Sequence, residues 1–317
     1  MLLTPVIFFG GKGGVGKTTL ASATAFKLAQ AGKDTLLVST DPAHNLGHIW
    51  GTSLSDTPVA VRPHLHLVEL DPARITEEHL RAVGASMRRM MPEHLHGEVK
   101  KHLDLARQSP GTHEAALLER MAALIEDAGA FEHIVFDTAP SGHTSRLMAL
   151  PEIMAAYTEG LLARREKSDK FSSLVRGMSG KDEVVPTGFD PITQRNQEIR
   201  STLLKRRRRF ENLRAVLTDA GRTAFYIVLT AERLPVMESA EFHQELTSHG
   251  VNVAGLLVNR RSPAGQGEFL DARRDAEHAA LELLAQRLPG VPVTHVPWLA
   301  GEAGTPESIA EIAKLLD

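Results

Sequence analysis

The sequence predicts an α/β fold: a doubly wound, mostly parallel sheet with helices on both faces. Three observations predict it. Short, continuously apolar runs recur along the chain, as strands buried on both faces require. Segments with helical spacing lie between most of them. A glycine-rich loop joins the first run to the first helical segment, a connection typical of a phosphate-binding strand–loop–helix unit.

Residues 4–9 form the first strand and end in that loop. Residues 18–31 follow with Leu20, Ala21, Ala25, Leu28 and Ala29 at helical spacing, and Gly32 supplies a stop. Thr35–Ser39 is the second strand, with Asp41 just past its end. Residues 65–70 and 134–136 continue the sheet, and residues 225–229, 253–258 and 291–296 add three more strands. Two stretches break the alternation. Residues 72–130 are helical in pattern and rich in His, Arg and Met, and residues 151–220 hold no convincing strand. The expectation is therefore one domain over residues 1–317, with a helical subdomain built from these two insertions. Residues 167–191 are polar with scattered Gly and Pro, and are the segment expected to move.

Composition excludes several function classes. The balance of 42% hydrophobic and 24% charged residues is that of a globular protein, and a net charge of −3 offers no basic field for nucleic acid. No apolar run approaches the roughly 18 residues of a membrane span, so the chain is not expected to be an integral membrane protein. The leading MLLTPVIFF lacks the charged leader of a signal peptide, so a cytoplasmic location is expected. Cysteine is absent, which removes disulfides, thiolate zinc sites and cysteine nucleophiles. The five bases at residues 205–209 read as a solvated helix between Glu198 and Glu211 rather than a nucleic-acid patch. His94, His96 and His102 read as surface histidines rather than ligands.

Gly11-Lys12-Gly13-Gly14-Val15-Gly16-Lys17-Thr18 satisfies GxxxxGK[ST] between a strand and a helix. Its glycines let backbone N–H groups converge on phosphates, and the helix N-terminus adds partial positive charge. Lys17 should bridge the β- and γ-phosphates of ATP, and the Thr18 hydroxyl should bind Mg²⁺, with Thr19 beside it. Lys12 exceeds what such a loop needs. It is read either as a solvated charge or as a group reaching a nucleotide across a dimer interface. Asp41-Pro42-Ala43-His44-Asn45 follows the second strand, where a carboxylate could orient or deprotonate an attacking water; a turn or N-cap Asp is the plainer alternative. Asp137 ends a buried strand, the arrangement that holds Mg²⁺ directly or through water. The loop after it contains Pro140, Gly142, His143 and Thr144, and Gly142 gives it freedom to move when the γ-phosphate leaves.

Taken together, GGKGGVGKTT, STDPAHNLG and FDTAPSGHTSRLMALP resemble the ArsA family of ATPases, which includes arsenite-pump-driving and tail-anchored-protein-targeting members. The resemblance runs across the chain: Pro110-Gly111 with Glu114-Ala115, the segment from Ala231 to Glu238, Val258-Asn259, and Pro297 through Glu302 all match family stretches. It implies a homodimer that closes on MgATP. Lys12 would reach the partner's nucleotide, Asp41 would activate water within the switch spanning Pro42, His44 and Asn45, and Asp137 to Thr144 would form the second switch. Asn259 would contact adenine, Pro297 and its neighbours would line the base pocket, and Glu232 would lie near the dimer interface. Ser141, Ser145 and Gly47-His48 depart from the usual pattern without touching phosphate chemistry. The missing cysteines go further: neither a three-thiol metalloid site nor a cysteine zinc clamp between subunits can exist here.

Two kinds of work are implied. One is handling of a membrane-protein client, with Met87, Met90, Met91 and the apolar residues Leu147, Met148, Leu150, Met154, Tyr157, Leu161 and Leu162 as an adaptable surface, or else as the subdomain's own core. The other is driving an arsenite or antimonite efflux pump in the membrane.

Overall fold

The structure is a computed structural model that describes residues 1–41, 45–90, 93–108, 111–139, 148, 150–151, 159–160 and 191–316. In chain order the elements are β1 (Val6–Gly11), α1 (Lys17–Gln30), β2 (Thr35–Ser39), α2 (Asn45–Trp50), β3 (Val59–Arg62), β4 (Leu65–Glu69), α3 (Pro72–Met90), α4 (His96–Arg107), α5 (Thr112–Glu126), β5 (His133–Asp137), α6 (Pro191–Thr218), β6 (Thr223–Thr230), α7 (Arg233–Ser248), β7 (Val253–Arg261), α8 (Glu268–Arg287), β8 (Val293–Pro297) and α9 (Pro306–Ala313).

The described strands form one sheet in the order β3-β4-β2-β5-β1-β6-β7-β8, parallel at every pair except β3 with β4. The chain is α/β and doubly wound, as the apolar runs predict. Alternate strand residues supply its two faces. Phe8, Val38, Phe136 and Phe225 point into one core with Leu117 of α5, Phe210 of α6, Phe242 of α7 and Leu284 of α8. Ile7, Phe9, Leu37, Val135 and Tyr226 point into the other with Leu20 of α1 and Ile309 of α9. Phe8 stacks on Phe136 with centroids 4.8 Å apart, which locks β1 to β5 through side chains as well as backbone.

The antiparallel edge strand β3 is absent from the sequence reading. Its four residues alternate half-buried Val59 and Val61 with exposed Ala60 and Arg62, too short a pattern to stand out. The first long insertion is helical as expected, and α3 packs on α4 around Leu80, Val99 and Leu103. Their approach is close: a Cβ on Gly84 would lie 2.6 Å from Leu103 Cδ1. Most of the second insertion, including nearly all of the polar tract, lies outside the described residues. The basic run on α6 is ion-paired: Arg206 meets Glu119 at 2.7 Å, Arg207 meets Glu211 at 2.7 Å and Arg209 meets Glu126 at 2.8 Å. No described helix is long and apolar enough to cross a membrane.

Candidate active site

The order of the sheet fixes where chemistry can occur. The chain leaves β1 toward β2 on one side and later fills β6 on the other, so β1 lies at the switch point. In open parallel sheets ligands bind beyond the carboxyl ends of the strands at such a point. The loop from Gly11 to Gly16 lies at that end of β1, before α1. Gly16 sits at the start of α1 with φ 96°, a left-handed conformation that suits glycine, and a side chain there would strike the Asn259 amide. Gly11 is confined as well: a Cβ would run into the Val228 carbonyl of β6. Gly13, Gly14 and Lys12 are exposed on the loop, Val15 is buried under it, and Thr19 is half-buried in the first turn of α1.

Lys17 is 5% exposed, and its ammonium donates to the Lys12 carbonyl at 2.9 Å. Burial lowers its pKa, against the attraction of Asp137 and Asp41, which works the other way. The Thr18 hydroxyl donates to Asp137 Oδ2 at 2.7 Å, and the Ser39 hydroxyl approaches the same oxygen at 3.4 Å. Asp137 is fully buried and its Oδ1 has no hydrogen-bond partner. Burial drives its pKa up to about 7, opposed by the Thr18 hydrogen bond and the Lys17 charge.

That carboxylate is where a divalent cation fits. A buried oxygen without a donor next to a hydroxyl already aimed at its twin is an incomplete hard-oxygen set, the kind Mg²⁺ completes together with substrate phosphates and water. No cluster of three or more His, Asp or Glu capable of holding a metal occurs among the described residues.

Asp41 comes to the same edge because β2 pairs with β5, placing Ser39 opposite Asp137. The Thr40 N–H donates to the Asp137 carbonyl at 2.9 Å, and the Asp41 N–H reaches the Ser39 hydroxyl at 3.3 Å. The Thr138 N–H and hydroxyl both donate to the Phe9 carbonyl, at 3.1 and 2.9 Å. Three strand ends are thus fastened to one another, and Lys17, Thr18, Asp41 and Asp137 ride on them. Asn45 opens α2 and is exposed. Pro42 and His44, and Pro140, Gly142, His143 and Thr144, lie outside the described residues.

At the far side of the loop, the Asn259 amide donates to the Val15 carbonyl at 2.8 Å and its oxygen accepts the Arg260 N–H at 2.9 Å. In this structure Asn259 therefore clasps the crest of the loop. Pro297 is exposed at the end of β8, two strands from β6. Trp298, next to it, is about half exposed and lies under the Arg273 guanidinium at 5.8 Å, and Arg273 also pairs with Glu232 at 3.0 Å. Sequence reasoning missed Arg273, which sits mid-helix with no motif around it. It also gave no role to Glu238, which meets Lys12 at 2.7 Å.

Residues 4–317 match the family described as Anion-transporting ATPase, ArsA_ATPase. The chain is similar to the "Putative arsenical pump-driving ATPase 2" of Aquifex aeolicus (strain VF5), 29% identical over 313 residues and covering 98% of each chain. It is 30% identical over 317 residues to "ATPase get3" of Aspergillus terreus, covering 98% of this chain and 89% of that one. It is 30% identical over 271 residues to the "Arsenical pump-driving ATPase" of Acidiphilium multivorum, covering 84% of this chain but 41% of that longer protein.

Proposed function

The chain belongs to the ArsA family of anion-transporting ATPases, and from that premise we propose that it works as a homodimeric MgATP switch that handles a membrane-protein client. The observation that carries the chemical part is the buried Asp137 carboxylate, with one oxygen bound to Thr18 and the other without a protein donor, beside the Lys17 ammonium.

On this reading the loop amides from Gly13 to Thr18 receive the phosphates, and Lys17 leaves the Lys12 carbonyl to meet the β- and γ-oxygens. Thr18 and Asp137 hold the cation, which when bound neutralises charge on the phosphates. Asp41 orients the attacking water and accepts its proton as the bond to the γ-phosphorus forms and the bond to the β–γ bridging oxygen breaks, with ADP as the leaving group. Asn259 and Pro297 border the base. Because the residues after Asp41 and Asp137 leave strand ends tied to the loop, loss of the γ-phosphate bears on both connections at once. Lys12, exposed on the loop, serves a second copy's nucleotide. The two helical insertions form the subdomain that this motion addresses.

A membrane-protein client is favoured over metalloid-driven pumping because the chain has no thiol to bind a soft metalloid. Part of the apolar set foreseen as a client surface is core: Met148 is 5% exposed in the main core, and Met87 packs beside Leu80 and Leu103. A client groove would therefore draw on other residues of the insertions.

The test is sedimentation of Asp41→Asn protein with MgATP, followed by identification of co-purifying membrane proteins. The expected result is a stalled dimer that retains a client. A monomer in MgATP, or normal turnover by Asp41→Asn, would count against the proposal. Lys17→Ala should lose roughly 10²- to 10³-fold in hydrolysis, the scale for removing one transition-state charge contact.

A further inference from the structure

The phosphate-binding loop contains two lysines, and the structure links them in series. The Lys17 ammonium donates to the Lys12 carbonyl at 2.9 Å, and the Lys12 ammonium meets Glu238 Oε1 at 2.7 Å. Glu238 lies on α7, which follows β6, and β6 pairs with β1 so that Gly11 lies opposite Val228. The sheet order thus brings α7 alongside the loop, and the loop's exposed lysine is engaged by its own chain.

We propose that Glu238 is a positioning residue that holds Lys12 in cis until nucleotide arrives. This rests on the reading of Lys12 as a group that serves a second copy's nucleotide. An ammonium paired with α7 is withheld from that role. Phosphate arrival draws Lys17 away from the Lys12 carbonyl, because a charged phosphate is the stronger acceptor. That removes the contact fixing the Lys12 backbone, and Lys12 then exchanges Glu238 for the partner's phosphates. Glu238 is left free to move with α7, so phosphate occupancy is felt on a helix that does not itself touch phosphate.

The strength of the pair suits a latch rather than a lock. Its side chains are 51% and 36% exposed, and such pairs shift an equilibrium by about two- to fivefold. A dimer joined by ATP can overcome that, yet removal of the carboxylate remains measurable. Glu238 lies on α7, an element that carries none of Thr18, Asp137 and Asp41, and its ion pair with Lys12 is the route by which it acts on the loop.

The experiment measures dimerisation of the full chain by sedimentation against concentration of ATPγS with Mg²⁺, together with the KM for ATP and the Tm without nucleotide. Glu238→Gln, which keeps an acceptor but loses the charge, is expected to dimerise at two- to fivefold lower ATPγS and to show a KM lowered by a similar factor. Glu238→Asp should return both toward the native values, and Tm should hold steady in each. An unchanged or raised midpoint in Glu238→Gln, with Lys12→Ala failing to dimerise, overturns the latch and leaves the two-subunit site standing. A Tm loss with no change in midpoint makes Glu238 merely structural and also overturns it. Lys12→Ala protein that dimerises as native does overturns the two-subunit reading, and the latch with it.

Discussion

Full burial favours the neutral form of Asp137, whereas the proposed role of holding a cation needs the charged form. Its pKa of about 7 in the chain exceeds the usual aspartate value of 3.8, so the folded chain holds a proton that the unfolded chain releases. Stability from this group therefore falls as pH rises from about 4 to about 7 and is level above that. Asp137→Asn should make the nucleotide-free protein more stable at pH 8, by on the order of 1–3 kcal/mol, and the advantage should vanish near pH 4. Thermal melts of both proteins across that range check it. Mg²⁺ with ADP at pH 8 should raise the Tm of native protein far more than that of Asp137→Asn, because only the native chain has a carboxylate to offer. The motif and the strand before it made Asp137 legible in the sequence. The orphaned oxygen was not, because it depends on what Ser39 and Thr18 do from other strands and helices.

At the scale of elements, two junctions carry testable weight, the first of them at the candidate site. The first is the start of α1. Gly16→Ala would impose a left-handed conformation on a residue with a Cβ and push on the Asn259 amide, costing about 1–3 kcal/mol before any loss of phosphate binding. Urea denaturation and ATP titration should both register it, whereas Gly13→Ala, with nothing near its Cβ, should leave stability nearly unchanged. The second is the clamp between α5 and α6. Burial pushes the Glu119 carboxyl up, but hydrogen bonds from His79 and Arg206 outweigh it and bring its pKa from 4.5 down to about 2. A depressed carboxylate stabilises the fold above the unfolded value and loses that contribution as pH falls through 4.5 toward 2. Glu119→Gln should therefore cost about 1–3 kcal/mol at pH 7, with the gap closing on acidification. A pH series of melts decides it. The run of bases on α6 announced itself in the sequence only as charge; the partners of Arg206 and Arg209 lie on α5, more than 80 residues earlier in the chain.

For the whole molecule, the absence of cysteine and the position of Lys12 set the predictions. Lys12→Ala should still bind MgATP, since Lys17, Thr18 and Asp137 are intact, but should stay monomeric and lose turnover roughly 10²-fold or more if it serves a second copy's phosphates. Sedimentation and steady-state hydrolysis check both halves. Thiol-directed reagents should leave hydrolysis unchanged, and arsenite or antimonite should not stimulate it, because no thiol is present. Stimulation by either metalloid would return the pump reading to first place.

The sequence by itself determined the fold class, the ATPase family and the place of the glycine-rich loop between β1 and α1. Those depend on local facts: glycines where backbone must approach phosphate, apolar runs long enough for buried strands, and acidic residues just past their ends. Tertiary structure decided everything that depends on neighbours distant in the chain. It paired Arg206 with Glu119, put Met148 in the core, placed Asn259 over the loop and set Glu238 against Lys12. The physical reason is common to all of these. A residue's type limits which contacts it can make, but the order of strands in the sheet chooses which partner is within reach.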